Sequence, residues 1–242
     1  MSHAPTSLHA FASQTRGLEG VRVHLDNITS ARGATTVFEG LNLNLTERRI
    51  GLIGDNGAGK SSLFRLICGL DRPKTGHVQV HGPSSLGMMF QNPDEQIIFP
   101  TVEEELGLSL QASGLSRQAA RMHARAWLHA RGLGAWAERA IGSLSQGQRQ
   151  QVCWLSLLIA SHGLLLLDEP FSNLDLPGQA QLDHEVAHAP QHIIISTHVL
   201  QHIRHFERVI WLDAGAVRLD GPGQAVCAAY EADVAARSAR ST

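Results

Sequence analysis

The eight residues Gly54, Asp55, Asn56, Gly57, Ala58, Gly59, Lys60 and Ser61 constrain this chain more than any other stretch. They fit the pattern GxxxxGK[ST] and stand between a short apolar run at 50–53 (IGLI) and Leu63, Leu66, Ile67 and Leu70, which recur at helical spacing. A strand that feeds a glycine-rich loop and then a helix lets backbone N–H groups curl around β- and γ-phosphates, with the helix N-terminus adding positive potential. In that setting Lys60 supplies a charge and Ser61, followed by Ser62, offers its hydroxyl to Mg²⁺.

A second candidate lies far downstream, where the apolar run at 164–167 (LLLL) ends in Asp168 and Glu169. Adjacent residues on a strand point opposite ways, so one carboxylate, Asp168, is expected to face a metal while Glu169 polarises the attacking water. Around these two motifs the pattern alternates. Residues 21–53 read as strands with an antiparallel start, since Leu41, Leu43 and Leu45 alternate with polar residues. Short strands follow at 77–80 and 86–90, and residues 101–141 turn helical, with Thr101 and Glu104 in a capping-box pattern, Ser116 as a second cap and Gly132 as a stop. Strands return at 164–167, 192–196 and 209–213, the last followed by Gly215 and a hairpin-like finish. Continuous apolar strands separated by helices imply a parallel α/β core buried on both faces.

Composition removes several alternatives. A chain of 242 residues with a formal net charge of −2 has no bulk attraction to nucleic acid or acidic lipid. Its longest apolar runs fall far short of the roughly 20 residues needed to span a bilayer. Residues 1–17 lack the basic start and apolar segment of a secretory signal and read as a flexible tail. Cys68, Cys153 and Cys227 are widely separated and odd in number, which fits small buried hydrophobes better than a disulfide framework or zinc knuckle.

Between the phosphate loop and the acidic strand lies LSQGQ (144–148), and after them come SNLD (172–175) and a lone His198. Together with Gln91, this order of motifs resembles the ATP-binding-cassette ATPases over nearly the whole chain beyond the tail. The resemblance implies an α/β fold with a P-loop NTPase (RecA-like) core, an N-terminal antiparallel β subdomain and an inserted α-helical subdomain. Its expected boundaries are 18–90 for the first part of the core and β subdomain, 91–144 for the Gln91 loop and helical insert, and 145–242 for the rest of the core. It also implies a head-to-tail dimer, homodimeric or with a sister ATPase, in which ATP on Lys60 and Ser61 of one subunit is capped by Ser145, Gly147 and Gln148 of the other. Gln91 then senses Mg²⁺ and the attacking water, and Mg²⁺ is shared by Ser61, Gln91 and Asp168. Glu169 is the general base, His198 reaches the γ-phosphate, and SNLD contacts the opposite subunit.

Three features depart from that pattern or compete with it. Gln146 replaces the first glycine of LSGGQ, which restricts the backbone if that position needs a positive φ. Where the family often stacks an aromatic ring on adenine, near residues 31–33, this chain has Arg32, so either its guanidinium stacks in that place or the chain has no equivalent there. HEVAH (184–188) matches the HExxH zinc motif, but Pro190 cuts the helix and no third ligand is evident, so a solvated helix face fits better.

The stretch FQNPDEQIIFPTVEEEL (90–106) is similar to that of energy-coupling-factor importers. There such ATPases drive a transmembrane coupling subunit and a substrate-binding membrane subunit from the cytoplasmic face of the bacterial inner membrane. Glu103, Glu104 and Glu105 are expected either to pair with basic residues of the membrane partner or to favour a helix N-terminus. TERRIGLIGDNGAGKSS (46–62) is similar to the biotin-transport type, which points to biotin as cargo, with cobalt, nickel or another vitamin as alternatives. A soluble cassette ATPase of DNA repair is expected to carry long coiled coils, which this chain lacks, and no nucleic-acid partner is expected.

Overall fold

The computed structural model describes residues 20–83 and 85–240, so the tail expected over 1–17 lies outside the described residues. The chain enters with β1 (Arg22–Arg32) and β2 (Thr35–Leu45), which pair antiparallel with Val23 opposite Leu45 and Leu25 opposite Leu43. The period of two puts Leu41, Leu43 and Leu45 on one buried face. Next, β3 (Arg49–Ile53) runs into the phosphate loop and α1 (Lys60–Ile67), and β4 (Thr75–His81) returns to pair antiparallel with β1. Leu70, expected on the apolar face of α1, falls beyond the end of the helix and is 51% exposed. Gly69, at φ +71, turns the chain away before Leu70 can join that face.

Three helices follow β5 (Leu86–Met89): α2 (Val102–Ala112), α3 (Arg117–Ala130) and α4 (Gln146–Ile159). The remainder is β6 (Leu164–Asp168), α5 (Leu176–His188), β7 (His192–Ser196), β8 (Arg208–Asp213), β9 (Ala216–Gly221) and α6 (Gly223–Arg240). Among the described residues the larger sheet has the order β5-β6-β7-β3-β8-β9, parallel throughout except at the β8–β9 hairpin. Alternation along the buried strands divides the core. Leu164, Leu166, Ile194 and Ile210 pack with α1 and the antiparallel sheet, whereas Leu165, Leu167, Ile193 and Ile195 pack with residues of α4, α5 and α6. A third cluster joins Val102, Leu106, Ala124 and Leu128 of the helical insert to Val152, Leu155 and Ile159 on another face of α4. Helix α4 is thereby keyed into both the sheet and the insert.

The start of α2 corrects two expectations. Thr101 does not close a capping box, because its hydroxyl donates to the Glu104 carboxylate at 2.8 Å and accepts no main-chain N–H. Nor do Glu103, Glu104 and Glu105 face outward to await a basic partner, for all three are buried. Glu103 accepts from Arg121 Nε at 3.0 Å and Arg125 Nε at 2.9 Å, and Glu104 accepts from Arg117 at 3.1 Å. Glu105 accepts the main-chain N–H groups of Ile98 and Phe99 at 2.9 and 2.8 Å, fixing the loop that follows Gln91. The physical reason is a row of arginines four residues apart on α3, which packs against α2 and supplies in cis the cations expected from another protein.

Arg48 and Arg49, within the segment similar to the biotin-transport type, also have structural partners. Arg49 donates to the carbonyls of Val186, Ala189 and Gln191 at 3.0, 2.5 and 2.6 Å, and Arg48 donates to that of Pro190 at 2.9 Å. These bonds satisfy the carbonyls around the end of α5, where orphan acceptors and the negative end of the helix dipole favour a cation. Because Arg49 opens β3 and the phosphate loop follows its end, this cap lies at the opposite edge of the sheet from the loop. Cys153 and Cys227 are buried and Cys68 is half-buried, and burial pushes the Cys153 thiol up to about 12. Among the described residues no helix is long and apolar enough to cross a membrane.

Candidate active site

Sheet order assembles the site. The carboxyl ends of β5, β6, β7 and β3 are neighbours, Asp168 ends β6, and just beyond these ends come Gln91, Glu169, His198 and the phosphate loop. Residues separated by more than a hundred positions therefore form a row along one edge, where ligands of parallel α/β sheets bind. All line a cavity of about 930 Å³ together with Gly54, Asp55, Asn56, Gly57, Gly59, Lys60, Ser61 and Ser62. Ala58, the remaining residue of the loop, is buried beneath it and donates its N–H to the Asp55 carbonyl at 3.1 Å.

The loop cannot be built from other residue types at its first position. Gly54 has φ +143, and a Cβ there would lie 2.1 Å from the Leu212 carbonyl oxygen. Lys60 begins α1, is 9% exposed, and its ammonium donates to the main-chain oxygens of Gly54 at 2.7 Å and Asp55 at 3.1 Å. Burial pulls the Lys60 ammonium below its usual range, and the charges of Glu169 and Asp168 oppose that shift. A cation held across the mouth of the loop by carbonyls is positioned to exchange those acceptors for phosphate oxygens.

The two acids differ from the strand-alternation expectation. Asp168 is the last residue of β6, but Glu169 has left the strand and sits at φ +48. A left-handed glutamate is a strained conformation of the kind stored at functional sites, and here it brings both carboxylates to the same cavity. Main-chain pairing sustains it, since the Glu169 N–H donates to the Ser196 carbonyl at 2.9 Å. Asp168 Oδ1 accepts a hydrogen bond from the Ser196 hydroxyl. Glu169 Oε2 accepts from the His198 main-chain N–H at 3.3 Å and lies 2.8 Å from His198 Nδ1. The His198 side chain is 66% exposed, so the ring is held by Glu169 on one side and open on the other.

Ser145, Gly147 and Gln148 are not brought to this cavity. Ser145 caps α4 in a reciprocal box: its hydroxyl accepts from the Gln148 N–H at 3.2 Å, and Gln148 Oε1 accepts from the Ser145 N–H at 3.1 Å. Gln146 is the first helical residue and has no positive φ, so the substitution does not strain the backbone as the glycine pattern suggested. Gly147 meets a real packing demand, because a Cβ there would lie 2.9 Å from the Asn173 carbonyl oxygen. Asn173 Nδ2 in turn donates to Gln150 Oε1 at 3.0 Å and the Gln91 carbonyl at 3.4 Å, tying SNLD to α4 and the Gln91 loop. In HEVAH, His184 and His188 are exposed and His188 Nδ1 donates to the His184 carbonyl at 2.8 Å, while among the described residues no metal-holding cluster of His, Cys, Asp and Glu occurs.

The oxygen donors of Ser61, Gln91 and Asp168 fit a hard divalent ion, since Mg²⁺ takes one or two carboxylates and completes its shell with phosphate oxygens and water. Arg32 lines the cavity, and Thr35, Val37 and Tyr230, which escaped the sequence reading, line it too. Tyr230 is the chain's single tyrosine, one helical turn beyond the buried pair Val226 and Cys227 on α6, and that spacing is the signal that its ring faces the core.

Comparison with known proteins follows the same lines. A family described as ABC transporter matches residues 38–172. The chain is 42% identical over 218 residues to the biotin transport ATP-binding protein BioM of Rhodobacter capsulatus, covering 86% of this chain and 93% of that protein. It is 33% identical over 203 residues to the energy-coupling factor transporter ATP-binding protein EcfA of Methanoculleus marisnigri, covering 77% and 73%. Its fold is similar to that of CbiO1 from Clostridium perfringens, part of the ABC transporter complex CbiONQ, with a TM-score of 0.73, 24% identity and coverage of 88% and 93%.

Proposed function

This chain belongs to the ABC transporter family, as an ATP hydrolase of the energy-coupling-factor type, and from that premise we propose that it drives uptake of biotin through partner membrane subunits. The observation that carries the catalytic part is the row of Lys60, Ser61, Gln91, Asp168, Glu169 and His198 along one cavity. ATP places its triphosphate in the Gly54–Ser62 loop, where Lys60 and the N-terminus of α1 balance its charge. Ser61, Gln91 and Asp168 would hold Mg²⁺, which would neutralise charge developing on the phosphate oxygens. The Glu169 carboxylate takes the proton of the attacking water, and the two His198 nitrogens that face Oε2 keep it aimed. With Ser145 and Gly147 outside the cavity, a second cassette, another copy or a sister ATPase, supplies them to close the site.

The membrane partner docks at the cytoplasmic face against the Gln91 loop and α2. Since Glu103, Glu104 and Glu105 are engaged internally, the loop offers Ile98, 74% exposed, beside the exposed acids Asp94 and Glu95. Purification from detergent-solubilised membranes is expected to recover integral-membrane subunits with the chain, and vesicles holding that complex are expected to accumulate biotin only with ATP. Vesicles that take up cobalt, nickel or another vitamin but not biotin would overturn the cargo assignment while leaving the ATPase intact.

A further inference from the structure

The phosphate loop carries a charge of the wrong sign for its ligand. Asp55 stands second in a loop that must hold a triphosphate, and the Lys60 ammonium meets its main-chain oxygen, not its carboxylate. The carboxylate turns to the C-terminal helix instead. It accepts from the Tyr230 hydroxyl at 2.8 Å and from Arg237 Nη1 and Nη2 at 2.5 and 3.2 Å. The cation is itself braced: Arg237 Nε lies 2.8 Å from Asp233, whose other oxygen receives Arg218 Nη2 at 2.5 Å. Arg218 covers the Trp211 ring at 4.1 Å, and Trp211 meets Tyr230 edge-on with centroids 5.1 Å apart. Val226 and Cys227, buried on the same helix, seat this assembly against the sheet.

We propose that Arg237 and Tyr230 are positioning residues for ATP: they hold the Asp55 carboxylate neutralised and turned toward α6, so that the triphosphate binds without facing an uncompensated anion in its own loop. This rests on ATP occupying the cavity that Asp55 and Tyr230 line. The hydrogen bonds of Arg237, then Tyr230, hold the Asp55 carboxyl below its usual range, and burial followed by the Asp55 bond pushes the Tyr230 phenol up to about 12. Repulsion from an exposed Asp55 scales with ligand charge, so its loss of compensation penalises ATP more than ADP, and salt screens the difference.

Equilibrium binding of ATP and ADP to the full chain tests this. Arg237→Gln is expected to weaken ATP on the order of tenfold, as one screened charge pair a few ångströms away would, with a smaller loss for ADP. Adding Asp55→Asn to that variant restores the ATP-to-ADP ratio, Arg237→Lys retains most of it, and high salt shrinks the defect. Should Arg237→Gln loosen α6, Tyr230→Phe, which removes only the hydroxyl, shifts the same ratio the same way to a lesser extent. Equal losses for ATP and ADP, wild-type affinity in Arg237→Gln, or no recovery with Asp55→Asn would overturn the inference. A wild-type chain that binds no ATP would overturn the nucleotide assignment as well.

Discussion

Replacing Glu169 by Gln is expected to lower ATP turnover by about 10²–10⁴-fold, the usual contribution of a positioned general base, while ATP remains bound. The substitution keeps size and shape, and an amide oxygen can still accept the His198 N–H at the place where Glu169 Oε2 now does. What it removes is a group able to take a proton from water. The left-handed backbone at position 169 is a property of the turn after β6 and its bond to Ser196, so the fold has no reason to change. Single-turnover hydrolysis, read beside ATP affinity and particle mass, separates the two effects: hydrolysis falls, affinity holds, and a nucleotide-bound dimer accumulates. Undiminished hydrolysis would remove Glu169 from its role.

Lys60→Ala is expected to fail earlier, at binding. The ammonium is buried and bridges the carbonyls of Gly54 and Asp55, so its deletion removes the cation nearest the triphosphate and leaves those oxygens without their donor. Truncating one partner of a buried, hydrogen-bonded charge pair costs about 2–5 kcal/mol, which corresponds to a loss of roughly thirtyfold or more in ATP affinity. Hydrolysis should fall to background with it. Calorimetric titration distinguishes this from the Glu169 variant, since ATP affinity drops here and holds there. An unchanged affinity would show that the loop's backbone alone carries the phosphates.

Much of this architecture is legible in the residues. The phosphate loop, the apolar strands at 164–167 and 192–196, and the helical stretch after Thr101 each carry a local signal of period, cap or glycine, and each stands where that signal put it. What escaped depends on elements distant in sequence. Nothing near Glu103 reveals that Arg121 and Arg125 lie on a helix packed against it, so acids that read as available are engaged. Alternation on β6 placed Asp168 and Glu169 on opposite faces, whereas the chain leaves the strand at Glu169 through a positive φ. Gln146 looked costly only because the glycine it replaces suggested a turn, and the position is the first turn of a helix. Tyr230 has no neighbouring motif at all, and only the docking of α6 beside the loop brings it to the cavity.

The composite nature of the site can be read from one series. Turnover per molecule is measured as the purified chain, alone and with any sister cassette, is diluted over several orders of magnitude at saturating ATP. If Ser145 and Gly147 must come from a second cassette, the rate per molecule falls toward zero as pairing is lost. A rate that stays at its full value where every molecule is solitary would show that one chain completes the reaction by itself.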